Sequence, residues 1–139
     1  MEFVVHTPEY DATNGGTIVL HHLAKTLTDL GYTAWGCPLS SNKPSKVLRY
    51  KVEGLLGSFL PSKYRRYRVD ANVCYANLSR LAQSGDNWIA VYPEIKDGNP
   101  LNAPNVVRWF LHAPGFHTGR VNFGPGEYHV DFYKFADGF

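Results

Sequence analysis

Cysteine is scarce: Cys37 and Cys74 are the only two in 139 residues. Two thiols are too few for a disulfide framework, and their separation is no C-x-x-C pair. They read as reduced, buried thiols of a cytosolic protein. Long apolar runs are missing as well. None approaches the ~20 residues of a membrane span, and no signal-like stretch precedes the first strand-like run. Charge of one sign is also lacking, because the net charge is +2, and 44% apolar against 19% charged residues excludes a disordered or fibrous class. A chain of this length buries roughly 68–70% of its unfolded surface, enough for one self-standing domain over residues 1–139.

The small net charge hides a split. Residues 43–68 carry eight of the fourteen Lys and Arg and a single acid, Glu53, so that stretch is +7 and the remainder is −5. Aromatic residues are uneven too, with nine of twenty between Trp109 and Phe139.

The chain opens on strand, loop and helix. Phe3–Val5 suits a buried parallel strand. A turn-rich loop follows with Pro8, Asp11, Asn14 and Gly15–Gly16. Leu20, Leu23, Ala24, Leu27 and Leu30 at helical spacing predict a helix over about 17–30, stopped by Gly31. Tyr32–Cys37 is a second strand, completing a βαβ unit. The pattern weakens over 38–70, read as a basic insertion. A helix is predicted from Ala71 to Gln83, with Asp70 as N-cap. Strands follow at Trp88–Tyr92, Asn105–Leu111 and Tyr128–Phe132, the last continuing to about Phe135. The fold class is α/β: a Rossmann-like, open, mostly parallel sheet flanked by helices.

In such a sheet ligands bind at the carboxyl ends of strands, where strand order reverses. His6 and Thr7, Pro93 and Glu94, and His112 fall at those ends. Asn14–Gly15–Gly16–Thr17 enters the first helix, whose free N–H groups favour an anion such as phosphate, although glycines before a helix also serve as a plain turn. No G-x-G-x-x-G, G-K-[ST] or G-x-S-x-G occurs. No metal site is expected. His21 and His22 point to different faces of one helix, and neither cysteine has a histidine at zinc spacing. Asp-x-Asp is absent, which counts against metal-dependent sugar-nucleotide transferases. His112 and His117 flank Pro114–Gly115, where an imidazole can act as general base, bind a sugar hydroxyl, or simply bond nearby backbone.

The stretch from Asn14 through Gly15, Gly16, Thr17, His21 and His22 to Gly31 resembles the first loop and helix of GT-B-fold glycosyltransferases. Tyr92-Pro-Glu-Ile-Lys-Asp-Gly-Asn-Pro-Leu-Asn-Ala-Pro-Asn-Val-Val-Arg-Trp-Phe-Leu-His-Ala-Pro-Gly115 is similar to a stretch of bacterial and phage-type sugar transferases. So is Phe123-Gly-Pro-Gly-Glu-Tyr-His-Val-Asp-Phe-Tyr133, while residues 38–70 match poorly. The resemblance implies the amino-terminal, acceptor-side half of a two-domain enzyme, with no donor-binding carboxyl-terminal domain in these residues. It places Asn14, Gly15, Gly16 and Thr17 beside the donor diphosphate, and Glu94, Asn99, His112 and His117 along the acceptor cleft, His112 being the catalytic candidate. It implies a nucleotide-sugar as co-substrate, no other cofactor, and no turnover by this half alone. The partner it implies is the missing donor half or a second copy of the chain.

Leu55–Leu60 followed by Lys63, Arg65, Arg66 and Arg68, with tyrosines between, joins an apolar patch to a basic one. It suits an anionic lipid surface or phosphorylated acceptor better than nucleic acid, given sugar transfer, unless it is merely a solvated face. The expected location is therefore cytoplasmic, peripheral at the inner face of the membrane. The rival readings are a non-catalytic Rossmann-type domain for a nucleotide or phosphosugar, and a homo-oligomeric interaction domain.

Overall fold

The protein is described by a computed structural model covering residues 1–37, 81 and 83–132. The basic segment, with Lys63, Arg65, Arg66 and Arg68, lies outside the described residues, as does Cys74. The helix expected over 71–83 also lies outside them, except for Leu81 and Gln83.

Among the described residues the elements run in the order β1 (Glu2–His6), α1 (Gly15–Asp29), β2 (Thr33–Cys37), β3 (Trp88–Pro93), β4 (Asn105–Phe110) and β5 (Tyr128–Asp131). They form one open sheet ordered β2-β1-β3-β4-β5, with every neighbouring pair parallel. The Rossmann-like α/β class is therefore observed, and among the described residues the sheet is parallel throughout. Its helical flank is sparse there, with α1 on one face and the helical residue Leu81 buried against the other.

Covering on both faces explains the sequence of the central strands. Val4 and Val5 point in opposite directions and are both fully buried. Val5 and Val91 pack with Leu20 and Ala24 of α1, whereas Val4, Ala90 and Tyr92 pack with Cys37 and Leu81. Burial of a leucine such as Leu20 contributes about 1.5–3 kcal/mol. The Cys37 thiol is fully enclosed, and burial pushes it up to about 12, so it stays protonated at ordinary pH.

Helix α1 is bounded chemically at both ends. Asn14 Oδ1 accepts the Thr17 N–H at 3.3 Å, an N-cap contact. At the other end Gly31 turns at φ +88°, the Tyr32 N–H donates to Leu27 O, and the Gly31 N–H donates to Thr28 O. This paired closure is a Schellman motif, and Tyr32 then meets Phe3 edge-on at 5.5 Å. No helix among the described residues is long and apolar enough to cross a membrane.

Strand order reverses between β1 and β3. From β1 the chain crosses outward to β2, and from β3 it proceeds the other way through β4 to β5. The carboxyl ends of β1 and β3 therefore open a crevice at the switch point.

Candidate functional site at the sheet switch point

The β1–α1 loop is held by its own side chains. Asp11 Oδ1 accepts the Thr13 N–H at 2.8 Å, and Thr17 Oγ1 donates toward Asp11 O at 2.9 Å. Buried His21 reaches back from α1 with Nε2 2.9 Å from Pro8 O, and its ring meets Tyr10 edge-on. A carbonyl only accepts, so this contact assigns the proton to Nε2. His22 is exposed, so the adjacent histidines do diverge.

This leaves two donors at the head of α1. The Gly15 and Gly16 amides make no hydrogen bond among the described residues, and they stand at the positive end of the helix dipole. A Cβ at Gly15 would meet nothing within 4 Å, and one at Gly16 only Asn14 Oδ1 at 3.4 Å. Internal packing therefore does not require glycine at either position. Gly15→Ala is accordingly expected to keep or slightly raise stability, by about 0.5 kcal/mol, while obstructing close approach of an anion to the amides. Thermal melts and phosphate titration on one preparation check both halves of this prediction.

A cavity of about 510 Å³ lies against these amides. Asn14, Gly15, Gly16 and Thr17 line one side, Glu94 the end of β3, and His112 and His117 the segment after β4. Pro8, Leu20, Pro93, Ile95 and Leu111 supply apolar wall. The structure thus brings together seven of the residues singled out in sequence, drawn from three separate segments.

Their geometry suits binding and proton transfer. Glu94 is 6% exposed, and its Oε2 accepts the Leu111 N–H at 3.0 Å. The His112 and His117 rings are both exposed, with centroids 4.5 Å apart, and Phe116 stacks on His112 at 5.6 Å. The cavity lining therefore combines amide donors from the head of α1 with a carboxylate and two imidazoles. Among the described residues no three His, Cys, Asp or Glu side chains converge to hold a metal ion.

Asn99 is not brought to this cavity. Its Oδ1 accepts the Tyr92 Oη–H at 3.1 Å and the Ala103 N–H at 2.9 Å, and its Nδ2 donates to Ala103 O at 2.8 Å. These bonds shape the β3–β4 loop.

Arg108 was not singled out in the sequence. It is wholly buried in β4, and its Nε and Nη2 donate at 2.8 Å to the two carboxylate oxygens of Glu127. Further bonds run from Nη1 to Lys96 O at 2.6 Å and from Nη2 to Gly98 O at 2.9 Å. The guanidinium also lies about 5 Å from the Tyr92 and Phe123 ring centres. It thereby clamps the segment that begins at Glu94. The available signal was a basic residue sharing a strand face with Val106 and Phe110.

His6, at the end of β1, is buried, and its Nδ1 has no hydrogen-bond partner among the described residues. Burial foremost, with the Lys96 charge, pushes its imidazole down to about 3. His6 is therefore neutral at physiological pH. Comparison with protein-family models, with curated proteins and with solved structures found no match to this chain.

Proposed function

We propose that this chain forms the acceptor-side half of a GT-B-type glycosyltransferase site, in which sugar passes from a nucleotide-sugar to a hydroxyl acceptor. The observation that carries this reading is the single cavity joining the Gly15–Gly16 amides, Glu94 and the His112–His117 pair at the sheet's switch point. In the reaction the acceptor oxygen attacks the anomeric carbon and the bond to the diphosphate breaks. His112 takes the acceptor proton. The Gly15 and Gly16 amides, fixed at the head of α1, stabilise the charge gathering on the departing diphosphate. Fixed donors of this kind need no reorganisation during the reaction.

The implied partner is a second half that grips the nucleotide. The basic residues Lys63, Arg65, Arg66 and Arg68 would serve an anionic lipid surface or a phosphorylated acceptor beside it.

Incubating the 139-residue chain with a panel of sugar nucleotides and hydroxyl acceptors tests the half-site reading. The expected result is no turnover, with nucleoside diphosphates binding weakly, about millimolar by calorimetry. Turnover by the chain alone would overturn the reading. Micromolar binding without turnover would favour a non-catalytic nucleotide-binding domain instead.

A further inference from the structure

We infer that Glu94 is the specificity-determining residue of the cavity, and that it selects a phosphorylated sugar by accepting a hydrogen bond from one of its hydroxyls. The inference rests on the anion-binding reading of the α1 amides given above.

Glu94 has an incomplete hydrogen-bond set among the described residues. Glu94 is 94% enclosed directly after the central strand β3, yet among the described residues only Oε2 has a partner, the Leu111 N–H. Among the described residues the enclosed side-chain atoms without partners are His6 Nδ1 and Asp131 Oδ1. Glu94 Oε1 is not one of them, and no described group bonds it, so it keeps access to solvent, and Glu94 lines the cavity. A carboxyl oxygen open to the cavity is a free acceptor, met by water until a ligand donor reaches it. A ligand hydroxyl donating to Oε1 takes the place of that water and forms a charge-assisted bond.

The rest of the lining bears on the ligand's charge. No Lys or Arg contributes to the described wall, and the Gly15 and Gly16 amides are donors without a partner among the described residues, so we seat the anionic group on them. Carboxylate and anion repel, which directs the phosphate toward α1 and a neutral hydroxyl toward Glu94. A molecule that satisfies both the amides and Glu94 carries a phosphate and a hydroxyl on one small frame. A space of about 510 Å³ is within the usual range for such ligands. Phe116, 72% exposed and stacked on His112, adds an apolar surface beside the cavity for the C–H face of a sugar ring.

The test compares methyl phosphate, which has the anion but no hydroxyl, with glucose, galactose and mannose 1-phosphates, on wild type and Glu94→Gln. NMR titration reads affinity and the Leu111 amide signal together. At least one hexose phosphate is expected to bind wild type about tenfold more tightly than methyl phosphate. That sugar should move the Leu111 amide, and methyl phosphate should not. Glu94→Gln should bring the two affinities to within about twofold while methyl phosphate binds as well as before or better. The amide oxygen can still accept from Leu111, and a native-like spectrum verifies the fold.

Equal wild-type affinities for all four probes, or a sugar preference that survives Glu94→Gln, would overturn the role of Glu94 alone. If methyl phosphate and the hexose phosphates all fail to bind near Gly15 and Gly16, the anion-binding reading falls with it. A Leu111 shift with the preferred sugar supports the inference from wild type alone, whatever the variant's stability.

Discussion

Arg108→Met is expected to destabilise the protein by about 3–5 kcal/mol, the usual cost of removing one partner from a buried ion pair. The substitution leaves Glu127, whose side chain is 3% exposed, without its bidentate partner. It also frees the Lys96 and Gly98 carbonyls, which the guanidinium now bonds. Most of the loss therefore comes from orphaned polar groups and little from lost apolar packing. Adding Glu127→Leu to Arg108→Met should recover a large part, because the uncompensated carboxylate goes with it. Urea unfolding of wild type, single and double variants measures the pattern. A single variant within about 1 kcal/mol of wild type would contradict the clamp. Since Arg108 holds the chain just beyond Glu94 and Ile95, the single variant should also loosen the cavity wall.

Acid should destabilise the fold through His6. Its folded value is near 3 against an ordinary 6.5, so between those limits the unfolded chain holds a proton that the native protein refuses. Unfolding free energy then falls as pH is lowered through this window, with a slope approaching about 1.4 kcal/mol per pH unit. Above 6.5 both states are neutral at this site and the contribution is complete; below about 3 both are charged and the slope vanishes. His6→Leu keeps similar bulk without the ionisable ring, so its stability should be flatter between pH 6.5 and 5. Parallel curves for wild type and variant over that interval would show that His6 is not the group responsible.

The fold was legible because its signals are local. Phe3-Val4-Val5 and Trp88–Tyr92 are apolar runs that only a sheet covered on both faces can bury, and both are central strands. Helix α1 announced itself by leucine spacing, although Asn14 caps it two residues earlier than the apolar pattern suggests. The last strand ends its described ladder at Asp131, short of the expected Phe135, and residues 133–139 lie outside the described residues.

The candidate site was legible where residues follow a strand or open a helix, as Glu94, His112 and Asn14–Thr17 do. Glu94 and His112 are placed by counting from strands and His117 by its position across Pro114–Gly115, and all three line one cavity with the head of α1. Asn99 looked similar in sequence, but its amide is spent on Tyr92 and Ala103. Arg108 and Glu127 are nineteen positions apart, a pairing that appears only once β4 and β5 lie side by side. The withdrawal of His6 from water is likewise a property of packing from several segments, invisible in its neighbours Val5 and Thr7.

The central claim is that the cavity at the head of α1 receives the diphosphate of a nucleotide-sugar. Backbone NMR of the chain, titrated with a nucleoside diphosphate, tests it most directly. The account predicts the largest shifts at the Gly15, Gly16 and Thr17 amides, smaller ones at His112 and His117, and a weakened response in Gly15→Ala without loss of stability. Shifts that avoid α1 altogether, or an undiminished response in Gly15→Ala, would contradict it.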